Sequence, residues 1–230
     1  MLFRQLFDPE TSTYSYLMAD EGTREAVLVD SVADQVPRDW KLLQELRLTL
    51  KYCLETHVHA DHITGAGQLR ELSGCETLVP EQAQVSCATR TLKDGETLRL
   101  ANLTIQAIAT PGHTDSHLSY LVNGDRLLTG DSLLIRGCGR TDFQSGDAGL
   151  MYDHVVGRLF SLPDQTRVYP GHDYRGHTVS TIGEERQFNP RFQGKTRQDF
   201  IEFMATLNLP SPKKMAIAVP ANQECGQVSA

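Results

Sequence analysis

From Ser12 to Asp30, aromatic and β-branched residues alternate with polar ones on either side of Glu21-Gly22. Successive strand side chains point to opposite faces, so this alternation predicts two antiparallel strands. Between Pro37 and Leu50 the period lengthens, and Trp40, Leu43, Leu46 and Leu50 recur at helical spacing behind an early proline, which predicts a helix burying one face. Lys51 to Thr56 is a short apolar run expected to form a strand. Ile63 to Leu72 returns to helical spacing and stops at Ser73-Gly74, which leaves residues 57–62 on a loop between strand and helix. Further strands are expected at Thr77–Pro80, Glu96–Leu100 and Leu103–Thr110, with Asn102 supplying a turn. Leu118–Val122 and Arg126–Thr129 flank Asn123-Gly124, a strong hairpin signal.

Past the glycine-rich stretch 136–147, helical spacing resumes at Leu150–Leu162, and Arg167–Tyr169 forms a short strand before Pro170-Gly171-His172. Helices are expected at Thr178–Phe188 and Arg197–Leu207. Two strand-rich halves, each followed by helices, predict an α/β fold with two sheets sandwiched between outer helices. Repeats, low-complexity tracts and linkers are absent from the sequence, so residues 1–230 are expected to form a single domain.

Composition narrows the function classes. Hydrophobic residues at 40% and charged residues at 22% supply an ordinary globular core. A net charge of −7 offers no general attraction to a phosphate backbone, which argues against a nucleic-acid partner. No apolar run reaches about 18 residues and the N-terminus lacks a signal-like apolar stretch, so no membrane span or leader is expected. The five cysteines are odd in number and never in a C-x-x-C arrangement, which predicts reduced thiols in a cytoplasmic protein.

The chemistry is concentrated in Thr56-His57-Val58-His59-Ala60-Asp61-His62, where three imidazoles and a carboxylate fall within six positions. A lone histidine is more often a satisfied core residue than a ligand, but this density at a strand end reverses those odds. Three more segments end a strand in a His or Asp: Thr110-Pro111-Gly112-His113, Thr129-Gly130-Asp131 and Tyr169-Pro170-Gly171-His172. Any one of them alone reads as a turn with a polar tip. Together they point to a metal site assembled from four segments.

On these residues the chain resembles the metallo-β-lactamase superfamily, whose H-x-H-x-D-H signature and distant His, Asp and His are matched by His57, His59, Asp61, His62, His113, Asp131 and His172. The resemblance implies an αββα sandwich of two mixed β-sheets flanked by helices. The blocks His59–Gly67, Ile135–Gln144, Pro170–Tyr174, Asn189-Pro190-Arg191 and Val219–Asn222 look like the persulfide dioxygenase branch. That branch implies one iron(II) per chain on His57, His113 and Asp131, a two-His, one-carboxylate set suited to non-haem oxygen chemistry. Glutathione persulfide and dioxygen would be the substrates, and His59, Asp61, His62 and His172 would surround and tune the ligands.

Spacing alone favours a dinuclear site, the arrangement of the glyoxalase II-like thioester hydrolases, which remain the alternative. These usually carry a longer helical C-terminal portion, whereas about sixty residues follow His172 here, so the hydrolase reading is expected to be the weaker one. Glutathione carries two carboxylates, and by resemblance Arg191, with Tyr174 as hydrogen-bonding partner, is expected to bind it, with Arg140 and Lys195 as weaker candidates. Cys138 and Cys225 are expected to be packed, inert thiols. A non-catalytic binding module would have little use for so full a ligand set. The sequence leaves homo-oligomer formation open.

Overall fold

The computed structural model describes residues 1–212 and 214–227. In chain order the elements are β1 Leu2–Asp8, β2 Thr13–Ala19, β3 Glu25–Val29, α1 Val36–Glu45, β4 Thr49–Leu54 and α2 Ala66–Ser73. They continue with β5 Glu76–Pro80, β6 Arg90–Leu92, β7 Thr97–Leu100, β8 Leu103–Ala109, β9 Leu118–Val122 and β10 Arg126–Gly130. After α3 Ala148–His154 come β11 Arg167–Pro170, β12 Ser180–Thr181, α4 Ile182–Phe188, α5 Arg197–Ala205 and α6 Met215–Gln223. The chain packs as two compact units.

The first unit comprises Met1–Leu92, Leu98–Thr104 and the stretch from Ser211. Its six-stranded sheet runs β1-β2-β3-β4-β5-β6, antiparallel as far as β3 and parallel from β3 to β6. Val36 and Leu43 of α1 and Ala66 and Leu69 of α2 are buried with Leu17, Leu28, Leu50 and Cys53 of the strands. In the parallel β3–β4 register Val29 pairs with Leu54. The residues leaving the two carboxyl ends, Asp30 and Glu55–His57, are therefore neighbours. Carboxyl ends of parallel strands are where α/β folds place their ligands.

The second unit comprises Lys93–Thr97 and Ile105–Pro210. The second sheet has the order β12-β11-β10-β9-β8-β7, antiparallel from β8 to β10 and parallel between β10 and β11. Met151 of α3, Ile182 of α4 and Phe200 and Met204 of α5 are buried with Ile108, Leu127 and Val168. Gly130 pairs with Pro170, so Asp131 and Gly171-His172 leave adjacent strand ends. Two mixed sheets flanked by helices is the α/β architecture expected.

Several boundaries differ from the sequence pattern for local reasons. The helix expected from Ile63 begins at Ala66, because Thr64 is held in a β-bridge to Val32 and its hydroxyl accepts the Ala66 N–H. The helix expected from Thr178 begins at Ile182, since Ser180 and Thr181 pair with β11 and Thr181 caps the helix through the Glu184 N–H. The Leu150–Leu162 helix starts at Ala148 behind its Asp147 cap and widens into a π-turn at Val155–Leu159. Neither β6 nor α6 was expected, the latter because Pro220 lies inside it.

One chemical expectation is overturned. Cys87 and Cys225 form a disulfide spanning 138 residues, so the five cysteines are not all reduced thiols and Cys225 is not an inert one. Cys53, Cys75 and Cys138 are free. Their spacing in sequence carried no sign of this pairing, which depends on the unforeseen α6. Among the described residues, no helix is long and apolar enough to cross a membrane.

Candidate metal centre

In the first unit the loop after β4 gathers His57, His59 and His62, with ring centroids 4.2 Å apart for the first pair and 4.3 Å for the second. All three are buried. Hydrogen bonds fix which nitrogen of each ring is available to a metal. Thr56 Oγ1 gives its single hydrogen to Asp30 Oδ2 at 2.9 Å, so toward His57 Nδ1, also at 2.9 Å, it can only accept. His57 therefore carries its proton on Nδ1, which leaves Nε2 as the lone-pair donor. His62 likewise donates from Nδ1 to Asp61 Oδ2 at 2.9 Å, and its buried Nε2 has no hydrogen-bond partner.

His59 is turned the other way. Its Nε2 lies 3.2 Å from Asp30 Oδ1 and 3.3 Å from Glu55 Oε2, and its Nδ1 is buried without a hydrogen-bond partner. Burial works against a charge on His59, but Asp30 and Glu55 outweigh it and hold the imidazole well above its ordinary pKa. A proton on Nδ1 would be a buried donor with nothing to bond, which is costly. A metal cation at that nitrogen meets the same demand for positive charge. His59, Asp61 and His62 also offer ligand atoms within 4.8 Å of one another.

In the second unit His113 donates from Nδ1 to the Arg140 carbonyl at 2.7 Å, since a carbonyl can only accept, so Nε2 is the nitrogen that could serve a metal. That nitrogen is 3.5 Å from Asp131 Oδ2, and His172 Nε2 is 3.6 Å from Asp131 Oδ1. These gaps are too long for good hydrogen bonds. They match the roughly 3.0 to 3.6 Å between two donors that each bond one ion at about 2.0–2.2 Å. Asp131 Oδ1 is buried with no hydrogen-bond partner. The orphaned atoms and fixed tautomers in both units fit a metal.

Two supports of this half were not singled out from sequence. His117, buried at the start of β9, accepts the Asp131 N–H on Nε2 at 3.1 Å and meets Thr110 Oγ1 through Nδ1 at 3.0 Å. Gly139 donates its N–H to the Asp131 carbonyl at 2.7 Å, and a Cβ there would stand 2.5 Å from that oxygen and 2.8 Å from His113 Nδ1. Only glycine allows so close an approach. Asp30 and Glu55 were also missed. An acid directly after a strand, the same signal that revealed Asp131, marks Asp30.

The expected substrate residues diverge. Tyr174 is 73% exposed, and its ring stacks on His172 at 6.0 Å with an interplanar angle of 6°. The Arg191 guanidinium lies 4.8 Å from the Phe203 ring centroid and Lys195 Nζ lies 5.3 Å from the same centroid, so one aromatic ring of α5 carries two cations. Cys138 senses both Arg191 and the metal-site carboxylate: burial pushes its thiol up to about 12, with Arg191 lowering it and Asp131 raising it. Arg140 has protein partners of its own. Its guanidinium is engaged by Asp142 and the Leu209 and Pro210 carbonyls, and its contribution to the site is the carbonyl that accepts from His113.

A metallo-β-lactamase superfamily family model matches residues 8–172. The human protein "Persulfide dioxygenase ETHE1, mitochondrial" is 45% identical over 228 residues, covering 98% of this chain and 89% of the human one. The crystal structure of ETHE1 from Myxococcus xanthus superposes with a TM-score of 0.96 at 54% identity, covering 99% of this chain and 100% of that one. TTHA1623, solved in a di-iron-bound form, is 27% identical with a TM-score of 0.66, covering 81% of this chain and 98% of that one. The chain belongs to the metallo-β-lactamase superfamily and, within it, to the family of the ETHE1 persulfide dioxygenases.

Proposed function

We propose that the protein is a persulfide dioxygenase that converts glutathione persulfide, dioxygen and water to glutathione and sulfite. The observation that carries this reading is the near-complete alignment with persulfide dioxygenases of a chain whose His57 and His113 each hold Nδ1 against an oxygen, Thr56 Oγ1 and the Arg140 carbonyl. With Asp131 they make the two-His, one-carboxylate set that suits iron(II) and leaves coordination positions open. Iron(II), when bound, supplies the accessible redox change that zinc lacks and that dioxygen chemistry requires. The residues around it hold this set in order. Thr56 and the Arg140 carbonyl hold the two imidazoles through Nδ1, and His117 and Gly139 hold the Asp131 backbone; His59, Asp61, His62 and His172 are proposed, by resemblance, to tune the ligands.

Glutathione persulfide brings two carboxylates to an acidic protein. Arg191 and Lys195 over Phe203 are the pair proposed to receive them, with exposed Tyr174 as a hydrogen-bonding neighbour. Arg140 is left out of this set because its guanidinium already serves its own loop. The proposal treats residues 1–230 as one functional domain. It involves no nucleic-acid or membrane partner; a cytoplasmic location, expected from reduced thiols, loses that support to the Cys87–Cys225 disulfide.

A second reading concerns the reaction class. The orphaned His59 Nδ1 and His62 Nε2 favour a second ion, as in a glyoxalase II-like thioester hydrolase. Oxygen uptake with glutathione persulfide separates the two. Stoichiometric uptake with sulfite release supports the dioxygenase, whereas hydrolysis of an acylglutathione thioester without oxygen uptake establishes the hydrolase.

A further inference from the structure

Asn222 lies far from every residue of the ligand set in sequence, yet it is buried against the loop that carries three of them. Its amide has one acceptor oxygen and one two-donor nitrogen, and each is used. Oδ1 accepts the Thr64 N–H at 2.8 Å, while Nδ2 donates to the His59 and His62 carbonyls, both at 2.8 Å. A backbone N–H can only donate and a carbonyl can only accept, so these partners fix the orientation of the amide. One side chain thereby closes the turn from residue 59 to residue 64 across its mouth. His59, Asp61 and His62 ride on that turn.

The backbone around Asn222 is held just as closely. The Cys225 carbonyl accepts the Gly67 N–H at 3.1 Å, at the start of α2. At Gly226, where φ is +85°, a Cβ would stand 2.2 Å from the Thr64 carbonyl, so the segment presses on the loop with no room for a side chain. Three residues beyond Asn222 the chain is joined covalently by Cys225–Cys87 to the stretch before β6, and Glu224 accepts from Ser86 Oγ at 3.1 Å. Short helices have little stability of their own. Here α6 is held by burial of Ala218 and Ala221 and by the covalent link at Cys225.

We propose that Asn222 is a positioning residue of the metal centre, clamping the 59–64 turn so that its imidazoles keep a fixed aim, and that the Cys87–Cys225 disulfide is the catch that holds the clamp closed. The proposal rests on reading the 57–62 loop as a metal loop, but the clamp itself is a backbone interaction and is measurable without metal. Opening the catch requires a thiol of low molecular weight. Its thiolate attacks Cys87 Sγ, the Cys87–Cys225 bond breaks, and Cys225 leaves as a thiolate that takes a proton. A second thiol then attacks the mixed disulfide on the added sulfur, which frees Cys87 and releases the oxidised thiol dimer.

Amide hydrogen exchange on metal-free protein tests the clamp directly. Asn222→Ala should speed exchange at Thr64 and its neighbours by about tenfold or more, while β2 and β3 keep their protection. Chelator competition should show metal affinity falling by about 10- to 100-fold, the range for lost support around metal ligands. In the metal-replete variant kcat should fall while KM for the persulfide holds. A role confined to stability would instead leave metal-replete molecules with full kcat. Asn222→Asp, nearly the same shape, keeps an acceptor for Thr64 but loses both donors, so it should reproduce the metal defect and stands in if the Ala variant fails to fold. Cys87→Ser, or reduction of the wild-type chain, should raise Thr64 exchange in the same direction. Unchanged Thr64 protection and metal affinity in either folded Asn222 variant overturns the clamp, and unchanged protection after reduction overturns the catch. Faster exchange with unaltered metal affinity would separate a real clamp from a mistaken metal loop.

Discussion

A buried imidazole is tolerated only when both ring nitrogens are accounted for, and this rule sorts the histidines of the chain. His117 satisfies both nitrogens with protein atoms and serves as a support, whereas His59 and His62 each keep one nitrogen without a hydrogen-bond partner. Arg191 is the proposed contact for a glutathione carboxylate, its guanidinium 4.8 Å from the centroid of the Phe203 ring that Lys195 also approaches. Arg191→Ala should mainly raise KM for glutathione persulfide with metal content intact. A charge-assisted contact contributes roughly 1.5–3 kcal/mol, so kcat/KM should fall by about tenfold to somewhat over a hundredfold. Lysine at this position should restore only part of the loss, because it keeps the charge without the planar fork. Steady-state oxygen consumption, with iron measured on the same samples, provides the check, and unchanged kinetics would place Arg191 outside the substrate site. The candidate metal-site residues were legible as a cluster because His and Asp crowd at strand ends. Asp30, Glu55, His117 and the Arg140 carbonyl were not, because their roles arise from strand register and loop closure rather than from any local pattern.

The elements show the same division. Alternation exposed β2 and β3, and Asn123-Gly124 marked the β9–β10 turn, where both residues adopt positive φ. These signals are local, so sequence carries them. By contrast β6 is three residues long, and α6 contains Pro220, so both depend on tertiary partners. Helix α5 lies between these extremes. Its pattern was visible, and Thr196 and Asp199 close a capping box at its start. This helix presents Phe203 to Arg191 and Lys195 while burying Phe200 and Met204. Thr196→Ala removes the cap and should cost about 1 kcal/mol, or roughly 2–4 °C in Tm for a chain of this size. Thermal unfolding of the metal-loaded protein reads this. A shift below 1 °C would mean that packing of Phe200 and Met204 alone holds the first turn in place.

At the scale of the whole molecule, the ligand groups are a standing cost that a cation relieves. Six of the eight histidines lie at or next to the strand-end segments, among buried carboxylates. Buried polar atoms without partners destabilise a fold until something binds them, and a ligand that binds only the folded state adds RT ln(1 + [L]/Kd), about 2.7 kcal/mol at a hundredfold excess over Kd. Loading should therefore raise Tm by about 5–10 °C, and Asp131→Ala should remove most of that rise, because its loss leaves neutral imidazoles to hold a dication. Zinc and iron would both stabilise, so Tm alone does not identify the ion. Elemental analysis of protein from its native host does. The dioxygenase reading requires about one iron per chain with little zinc, and oxygen uptake in proportion to the iron. The orphaned nitrogens of His59 and His62 set up the competing outcome, a second bound ion. Two tightly held zinc ions, with activity restored by zinc and not by iron, would exclude the mononuclear iron site and return the chain to the hydrolases.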